Sequence, residues 1–456
     1  MTANKLRAQK QRQNERPNII FIFTDQQQAG MMSCAGNQYL HTPAMDSLAA
    51  TGVRFEKAYC TNPVCLPARF SMMTGRMPSE LGIRSNDVGG LETVPAGITK
   101  QSMGWLLRHA GYDVGYGGKV HLPKGMNPEA MGFDSITTNQ REGLSDACLE
   151  FVRRERDKPF LLVASFINPH DICYMAINDY QELDRNRLVN EMQALDAAMK
   201  LPEGVSREDF FAQYCPPLPP NFEPQEQEPE AIRMILEQRL FKKQARETWP
   251  DEKWRMHRWA YCRLTEMVDA HIGKVLDAVR ESGLEENTLI IFSSDHGDLD
   301  SAHRMEHKTA LYEEPTRVPL VVTLKGVTPP GFVNNTHLVS NGLDLIPTLC
   351  DYAGIETPDD LTGQSFRPLA EGRAPQSWRT HLWLESEFGY MLRSDQYKYI
   401  LYDAGENREQ LIDLEKEPWE MKNFATNPAY REIIEEYREC FQSHRDMATN
   451  RALRWT

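Results

Sequence analysis

The run Asn18-Ile19-Ile20-Phe21-Ile22-Phe23 is apolar at every position after the first and rich in β-branched and aromatic side chains. A strand with one face in water alternates polar and apolar residues, whereas an unbroken apolar run is typical of a parallel strand buried on both faces. Similar runs occur at residues 159–166, 288–294 and 317–324, and a short strand precedes the glycines within 115–118. The sequence therefore predicts an α/β fold built on a large, mixed, mostly parallel sheet.

Helical patterns alternate with these strands and are expected to cover both faces of the sheet. They fall at residues 42–52, 67–75, 101–110, 259–282 and 342–353. In the pattern of 259–282, Leu264, Val268, Ile272 and Val275 recur at the spacing of a helix with one buried face. The predicted architecture is a sheet sandwiched by helices.

The chain is predicted to contain one large domain and one small subdomain. The large α/β domain spans residues 17–370 and includes a charged, proline-rich surface insertion at about 174–256. Residues 371–456 are predicted to form a small α+β subdomain, in which a hairpin of residues 390–393 and 397–402 is crossed by a helix at 428–444. Residues 1–16 are polar and basic, and we interpret them as a solvated tail.

Composition and charge exclude several classes of function. The 456 residues carry a net charge of −14, which argues against nucleic acid or an anionic membrane surface as a general partner. The nine cysteines are dispersed without a C-x-x-C pair, which predicts mostly reduced thiols and no disulfide framework. The longest apolar runs are far too short to span a bilayer.

The expected compartment depends on whether a leader has been removed. Residues 1–16 lack the apolar stretch of a signal peptide. The protein is expected in the periplasm if the sequence begins after a removed signal, and in the cytoplasm otherwise. The oligomeric state leaves no signature in the sequence.

Polar side chains follow directly after four of the predicted strands. Ligands of an open parallel sheet gather at the carboxyl ends of its strands. Four separate strands are therefore expected to deliver carboxylates and cations to one edge of the sheet, namely Asp25, Lys119, His121, His170, Asp295 and His296.

Two of these strand ends carry ligands for a metal ion. Asp25 and Gln26 follow the first strand, and Asp295 and His296 follow the strand at 288–294. Two carboxylates, an amide oxygen and an imidazole suit a divalent cation such as Ca²⁺ or Mg²⁺. An aspartate at the end of a strand can equally cap a turn, so the prediction depends on the four residues acting jointly.

A cysteine stands where a loop is expected to become a helix, within Asn62-Pro63-Val64-Cys65-Leu66-Pro67-Ala68-Arg69-Phe70-Ser71-Met72-Met73-Thr74-Gly75-Arg76. Pro67 suits the first helical turn and Gly75 the end of the helix. The N–H groups and the dipole at the start of a helix stabilise an anion near Cys65, and Arg69 adds a positive charge one turn later. Free cysteines are more often buried as small hydrophobic residues, but the polar, proline-containing loop argues against that here.

The pattern Cys65-x-Pro67-x-Arg69 followed by Thr74-Gly75-Arg76 resembles the signature of the type I, formylglycine-dependent sulfatases of the alkaline phosphatase superfamily. The resemblance extends over most of the chain, through Asp25-Gln26, Gly118-Lys119-Val120-His121, Asn168-Pro169-His170, Ser294-Asp295-His296-Gly297 and His307-Lys308. It implies an alkaline phosphatase-like fold and a sulfuric ester hydrolase. It also implies that Cys65 is oxidised to formylglycine by a maturation enzyme.

The resemblance assigns a role to each matching residue. Asp25, Gln26, Asp295 and His296 would hold Ca²⁺ together with the formylglycine made from Cys65. Arg69 and Lys119 would steady the formylglycine, His121 would take a proton from its hydrate, and His170 and Lys308 would grip the sulfate and assist the leaving oxygen. Many family members have a second Asp in place of Gln26 and Asn or Gln in place of His296, so Mg²⁺ and Mn²⁺ stay open.

The implied reaction is attack at sulfur by one hydroxyl of the aldehyde hydrate, with the second hydroxyl driving release of sulfate. The Gln26 and His296 variant also resembles the phosphonate and choline branches of the superfamily. The alternatives are therefore a phosphonate monoester or phosphodiester hydrolase, a choline sulfatase, and a non-catalytic relic in which Cys65 stays unconverted.

The expected substrate is a sulfated saccharide. Arg84, His303 and Arg304 adjoin the proposed site in sequence and are predicted to bind a uronate carboxylate or a second sulfate. The insertion at 174–256 could wall one side of a pocket and admit only a chain end. This resembles exo-acting bacterial glycosaminoglycan sulfatases, including those that remove a uronate 2-O-sulfate. Choline sulfate would instead call for an aromatic cage.

Overall fold

The computed structural model describes residues 16–87, 93–181, 183–184 and 186–452. The predicted tail at residues 1–16 lies outside the described residues except for Arg16. No helix within these described ranges is long and apolar enough to cross a membrane. All nine cysteines are free thiols, as their dispersion predicted.

An eight-stranded mixed sheet forms the centre of the molecule, with the strand order β5-β4-β6-β1-β7-β8-β2-β9. The neighbours β4, β6, β1 and β7 are parallel to one another, and β8 is antiparallel to β7 and β2. β3 and β10 pair separately. The strands are β1 Asn18–Asp25, β2 Val53–Phe55, β3 Ala58–Tyr59, β4 Asp113–Gly118, β5 Asp134–Thr137, β6 Phe160–Pro169, β7 Thr288–Ser294, β8 Leu320–Thr323, β9 Phe332–Asn334 and β10 Val339–Ser340.

β1 is the central strand that its unbroken apolar run predicted. It pairs with β6 on one side and with β7 on the other. Thr24 pairs with Ser294 and Asp25 pairs with Pro169, so the carboxyl ends of the three strands lie at the same level. The residues that follow them are thereby brought to one edge of the sheet.

Ten helices of eight or more residues are described, and most of them cover the two faces of the sheet. They are α1 Pro43–Thr51, α2 Cys65–Thr74, α3 Glu142–Val152, α4 Cys173–Tyr180, α5 Val189–Ala198, α6 Glu230–Gln238, α7 Leu240–Thr248, α8 Asp251–Glu281, α9 Leu345–Ala353 and α10 Arg431–Ala452. Shorter helical segments lie at Ser33–Ala35, Pro78–Leu81, Ala96–Thr99, Met103–His109, His170–Ile172, Arg207–Asp209, Phe210–Tyr214, Glu285–Asn287, Ala302–Arg304, Glu313–Thr316, Arg367–Ala370 and Pro428–Tyr430.

Alternate side chains of β1 enter two separate cores. Ile20 and Ile22 pack in the core that contains the apolar stripe of α8 together with residues of α1 and α3. Phe21 and Phe23 pack in the opposite core, with side chains of α2 and α9. Both faces of the sheet are therefore covered, which confirms the predicted sandwich.

α2 begins at Cys65, where the loop was expected to become a helix, and Pro67 lies in its first turn as predicted. Val64 before it is extended, and the left-handed Gly75 (φ 69°) ends the helix as expected. All ten residues of α2 are buried. The helix is thus held on every side, and its N-terminus is fixed at the edge of the sheet.

The segment 174–256 is helical and has a core of its own. Met192 and Leu195 of α5 pack with Trp249 and with Trp254 of α8. The helix predicted around 230–246 is interrupted at Arg239, where the backbone is extended, and α8 begins at Asp251, directly after Pro250, instead of at residue 259. The assignment of 174–256 as an insertion stays a prediction.

The C-terminal region contains a separate four-stranded antiparallel sheet, ordered β11-β12-β13-β14, and α10. These strands are Leu382–Ser386, Gly389–Arg393, Tyr397–Tyr402 and Glu409–Asp413. One face packs Leu392 and Tyr399 against Tyr437 and Phe441 of α10. The other face packs against the larger part of the chain, with Leu384, Met391 and Ile400 in a core with Tyr59, Leu311 and Leu338. The predicted small sheet with a helix is confirmed, whereas its boundary at residue 371 stays a prediction.

Candidate active site

The strand-end residues of the large sheet converge on the thiol of Cys65. Its Sγ lies 2.8 Å from Nζ of Lys308, 3.2 Å from Nε2 of His296, 3.6 Å from Oδ1 of Asp25 and 3.9 Å from Nζ of Lys119. All of these side chains are buried or nearly so. The N-terminus of α2 thus meets the ends of β1, β4 and β7 at one point.

Arg69 joins the two carboxylates of the site. Its Nε donates to Asp295 at 2.7 Å, and its guanidinium also donates to Asp25 at 2.8 Å. The remaining nitrogen donates to the carbonyl of Lys119 and to Oγ of Ser165, both at 2.8 Å. Because Arg69 is only 1% exposed, this fully used guanidinium is a fixed positive charge that holds the ends of four strands together.

The two buried carboxylates differ in proton affinity. Burial raises the pKa of Asp25, but the charges of Lys119, Arg69 and Lys308 outweigh it and hold the net pKa well below its usual range. Burial and the neighbouring charge of Asp25 raise the pKa of Asp295. Arg69 pairs with both carboxylates and Lys119 pairs with Asp25 as well, so the two groups are held close enough to share one divalent cation.

The Cys65 thiol lies in a positive field. Burial and the charge of Asp25 raise its pKa, but Lys119, Lys308 and His296 outweigh both and hold the pKa well below its usual value. Lys119 also donates to Asp25 at 2.6 Å. An anionic group at position 65 is therefore stabilised here.

Four side chains have the geometry of a metal site. The ligand atoms of Asp25, Cys65, Asp295 and His296 all lie within 4.8 Å of one another. Nδ1 of His296 lies 2.8 Å from the carbonyl of Gly297, so this nitrogen carries a proton and Nε2 is the ring nitrogen that faces the centre of the group. Burial lowers the pKa of His296, but the charge of Asp295 outweighs it and raises the pKa, so a cation that binds Nε2 would displace a proton from it. Two carboxylates and a neutral imidazole nitrogen fit a divalent cation.

Gln26 lies beside this group with a strained backbone (φ 70°). Its Oε1 accepts from Nζ of Lys308 at 2.9 Å and from Sγ of Cys173 at 3.1 Å. Its Nε2 donates to Asp298 at 2.6 Å, and its carbonyl accepts from the Tyr261 hydroxyl at 2.5 Å. The amide oxygen therefore faces the side of the site where Cys65 and Lys308 lie.

The two predicted proton-transfer histidines lie in different surroundings. His170 is half-buried after β6, with Tyr174 edge-on at 6.2 Å, and its Nδ1 has no hydrogen-bond partner. Burial and the charges of Lys119 and Lys308 lower its pKa well below the usual value, so the ring is neutral. His121 lies on an exposed turn with φ 42°. Its role as a base stays a prediction.

The three residues predicted to bind a second anion have other partners in this structure. Arg84 donates to the carbonyls of Ser386 and Gly389, and lies over the ring of Tyr390. His303 is buried and stacks on Tyr312 at 3.9 Å. Their roles stay predictions, and neither side chain contacts the group around Cys65 among the contacts of the described residues.

Arg304 is the third of these residues. It pairs with both carboxylate oxygens of Glu223 at 3.0–3.1 Å. It also lines a surface cavity of about 700 Å³ with Glu223, Arg233 and Arg246. This cavity opens beside Arg304 and carries charges of both signs.

The segment that carries Lys308 has a strained backbone. Six of its non-glycine residues have positive φ, which costs of order 1–3 kcal/mol each unless the surroundings impose it, and they are Asp300, Ser301, His303, Arg304, His307 and Thr309. Lys242 of α7 donates to the carbonyl of Lys308 at 3.1 Å, and Thr309 donates to the carbonyl of Pro63. These contacts fix Lys308 from two sides.

Sequence reasoning missed three buried residues that support the site. They are Cys173, Lys242 and Asp298, and none follows a strand directly. Asp298 had one available signal, because it stands in the same Asp295-His296-Gly297-Asp298 run as two predicted ligands. Lys242 had none, since a charged residue in an amphipathic helix normally faces water.

Comparisons with known proteins agree with this arrangement. The family model described as Sulfatase matches residues 17–355. The model described as N-sulphoglucosamine sulphohydrolase, C-terminal, matches residues 301–447. Together they extend over most of the described residues.

Individual relatives are similar over nearly their whole length. The Delta 4,5-hexuronate-2-O-sulfatase of Bacteroides thetaiotaomicron is 28% identical, covering 93% of this chain and 88% of the relative. The choline-sulfatase of Rhizobium meliloti is 27% identical, covering 95% and 87%. A solved structure of a 2-O GAG sulfatase has a TM-score of 0.80 at 26% identity, covering 95% of this chain and 93% of that one.

Proposed function

The chain belongs to the sulfatase family and is a sulfuric ester hydrolase, and from this premise we propose that it releases sulfate from a uronate 2-O-sulfate at the end of a glycosaminoglycan fragment. The proposed nucleophile is a formylglycine made from Cys65. The observation that carries the proposal is the convergence of Asp25, Asp295, His296 and two lysines, Lys119 and Lys308, on the Cys65 thiol.

The residues around Cys65 suit a reaction that moves negative charge from the sulfate group to the leaving oxygen. Formylglycine would supply a hydrate with one hydroxyl to attack sulfur and a second to expel the sulfate. Lys119 and Lys308 present ammonium groups to the same point from two separate segments of the chain. They are proposed to stabilise the negative sulfate oxygens as charge shifts toward the bridging oxygen, because buried, fixed cations do not have to reorganise.

His170 and Lys308 are proposed to act on the leaving oxygen. Nδ1 of His170 is a buried atom without a partner within the protein, while the residue as a whole is only half-buried, so its other ring nitrogen is the one that we propose meets a substrate. Its pKa is low because burial and two lysines oppose its charge. The negative charge of a bound sulfate ester would offset those lysines and favour a proton on the ring.

Asp25, Gln26, Asp295 and His296 are proposed to hold a divalent cation, with Ca²⁺ as the first choice and Mg²⁺ or Mn²⁺ open. The cation would add Lewis-acid stabilisation next to residue 65. Arg69 holds Asp25 and Asp295 in place by donating to both, and Gly297 orients His296. Such outer contacts keep ligands in a single geometry.

The uronate 2-O-sulfate is proposed on the likeness to the hexuronate 2-O-sulfatase and to the 2-O GAG sulfatase structure. The choline-sulfatase is nearly as similar in sequence. A choline substrate would need several aromatic rings around its ammonium. Tyr174 is the aromatic ring that contacts His170 in the described part of the chain, and the surrounding charge is basic.

The test measures sulfate release from a panel of substrates by the matured protein. The panel contains an unsaturated disaccharide with a uronate 2-O-sulfate, its isomer with the sulfate on the hexosamine 6-position, choline sulfate and a phosphonate monoester. We expect the 2-O-sulfated disaccharide to have the highest kcat/KM. The Cys65→Ala variant serves as the control for chemistry at position 65.

Each of the other possible results of this panel would support a different function. Preference for the 6-sulfated isomer would retain the saccharide and contradict the 2-O position. Turnover of choline sulfate or of the phosphonate monoester alone would contradict the saccharide proposal. Mass spectrometry of the peptide that contains residue 65 reports separately whether the thiol has been oxidised.

A further inference from the structure

Gln26 is the one proposed ligand whose facing atom is not fixed by its own chemistry. Its planar amide carries an oxygen and an NH₂ group of almost the same shape, and a cation can bind only the oxygen. The residue is fully buried, so both ends of the amide face protein atoms. The neighbours therefore decide which atom points to the site.

One end of the amide faces two donors. Nζ of Lys308 lies 2.9 Å from Oε1 of Gln26, and Sγ of Cys173 lies 3.1 Å from it. A lysine ammonium has protons to donate and no acceptor. The atom opposite Lys308 must therefore be the amide oxygen.

The other end faces an acceptor. Oδ2 of Asp298 lies 2.6 Å from Nε2 of Gln26, and Oδ1 of Asp298 accepts from the backbone N–H of Asp300 at 2.7 Å. Since Lys308 and Cys173 identify the oxygen at the far end of Gln26, the atom that faces Asp298 is the NH₂ group, and each oxygen of Asp298 accepts from one donor. Asp298 is fully buried and contacts Gln26 directly, whereas its contact with the Cys65 group is only through Gln26.

We propose that Asp298 is a positioning residue that fixes the amide of Gln26 with its oxygen toward the cation site. The inference takes from the proposed function only that Gln26 is a ligand of the cation. A flipped amide would set its NH₂ group against Lys308 and against the cation. Asp298 makes that flip unfavourable because the flipped oxygen would face its carboxylate.

An Asp298→Asn substitution replaces the carboxylate with an amide of nearly the same shape. It therefore removes the acceptor that orients Gln26. If the new amide keeps its oxygen toward Asp300, it presents NH₂ to the NH₂ of Gln26. If it turns over, its NH₂ faces the N–H of Asp300. Either arrangement leaves two donors opposed, and Gln26 loses its fixed orientation.

A reciprocal exchange restores the pairing. In the double variant Gln26→Glu with Asp298→Asn, the new amide donates to the new carboxylate while its oxygen accepts from Asp300. The second carboxylate oxygen then faces Lys308, and the net charge equals that of the wild-type protein. Gln26→Glu alone would set two carboxylates against each other.

The experiment titrates Ca²⁺ into metal-free protein by calorimetry and measures sulfate release and thermal unfolding in parallel. Each single substitution is expected to weaken Ca²⁺ binding and to lower kcat/KM by about 10- to 100-fold. The double variant is expected to recover to within about tenfold of wild type. Asp269→Asn is the matched control, because Asp269 is also buried and accepts from two backbone N–H groups, those of Ala44 and Met45.

The control is expected to alter unfolding without altering Ca²⁺ affinity. Wild-type Ca²⁺ affinity in Asp298→Asn, or a double variant no better than the weaker single variant, would overturn the inference, as would a wild-type protein that binds no Ca²⁺. If no saccharide is turned over, the proposed function fails, and the Ca²⁺ titrations still decide the role of Asp298.

Discussion

Around Cys65, the charged side chains differ in how fully they are paired. Arg69 neutralises part of the charge on Asp25 and Asp295, and Lys119 pairs with Asp25 as well. Lys308 has no carboxylate within ion-pair distance among the ion pairs described, and its nearest partners are the thiol of Cys65 and the amide oxygen of Gln26. Its ammonium is therefore available to an anionic substrate group.

Replacing Cys65 by alanine should abolish turnover and leave the fold intact. The side chain is nearly fully buried, so the loss of one sulfur atom creates a small cavity but removes the nucleophile. We expect kcat to fall by at least about 10³-fold. Cys148→Ala is the matched control, because Cys148 is a buried thiol of α3 in the opposite core. Substantial activity in the Cys65 variant would contradict the assignment.

Replacing His170 by alanine should affect poor leaving groups most. A sugar alkoxide needs a proton as it leaves, whereas an aryl oxide leaves readily without one. We expect kcat/KM to fall by about 10²-fold or more for a sulfated sugar, and much less for 4-nitrophenyl sulfate. Single-turnover assays with both substrates make this measurement. Equal losses on the two substrates would argue that His170 binds sulfate without transferring a proton.

The sequence predicts the site residues that directly follow strands. It does not predict the buried residues that hold those site residues in place. Asp25 and Asp295 could be found because the ends of parallel strands share an edge, whatever the rest of the fold does. Asp298 and Cys173 reach the site through Gln26, and this depends on loop conformations such as the left-handed Gln26. No periodic pattern records such a contact.

At the scale of elements, α7 reaches the site from the segment 174–256. Lys242 is only 5% exposed, and its ammonium donates to the carbonyl of Lys308. Phe241 packs against the ring of His307 at 4.9 Å. Two successive residues of α7 thus contact two successive residues of the strained segment, and Lys308 is placed by a helix far from it in sequence.

Replacing Lys242 by methionine should lower activity while raising stability. Burial and the charge of Lys308 lower the pKa of Lys242 to about 7. The stability that this group contributes is present above its unfolded pKa of about 10.4 and is lost as pH falls toward 7. At pH 6–7 the variant should therefore unfold at a higher temperature than wild type.

The loss of activity should arise through Lys308. Misplacement of a catalytic group by 1 Å can cost about 10²-fold, so we expect kcat to fall by at least about tenfold. In a Lys308→Ala background, the Lys242→Met substitution should have no further effect on kcat. Lys243→Met is the control from the same helix, since Lys243 pairs with Glu247 at the surface. Additive losses would show that Lys242 acts independently.

A strand or helix could be predicted from the sequence where a single physical rule determines its pattern of residues. β1, β6 and β7 are unbroken apolar runs because both of their faces are covered. β11 and β14 mix buried polar residues such as Glu385 and Gln410 with apolar ones, so their sequences resemble neither a buried nor a half-exposed strand. The start of α8 at Asp251 depends on Pro250 and on packing against α5, and the amphipathic stripe alone does not show this.

At the scale of the whole molecule, the C-terminal sheet is joined by buried polar contacts to the segments that precede and follow α2. Glu385 of β11 accepts from the backbone N–H of Ser79 at 2.7 Å, and its own backbone N–H donates to Thr61. Its second carboxylate oxygen has no partner. Burial, opposed only in part by these contacts, raises the pKa of Glu385 to about 7.

This carboxyl group should make the stability of the protein depend on pH. Its folded pKa exceeds the unfolded value, so its contribution is complete below about pH 4.3 and is lost as pH rises through 7. The loss amounts to roughly 3 kcal/mol in free energy of unfolding. Glu385→Gln should remove this dependence, and the variant should gain most over wild type at pH 8.

Urea unfolding at pH 5.5 and pH 8 measures the effect. The exposed Glu415→Gln, in the same C-terminal region, is the control, and it should follow the wild-type curve at both values. An equal difference between Glu385→Gln and wild type at the two pH values would contradict the assigned titration.

The position of β1 between β6 and β7 also governs the order in which the chain can fold during synthesis. Asn18 pairs with Thr288, so the first strand to be made waits for a partner about 270 residues later. At 5–20 residues per second this wait lasts roughly 15–50 s, during which five consecutive apolar side chains lack their final neighbours. Such distant pairing slows folding, and refolding at high protein concentration should favour aggregation over recovery of activity.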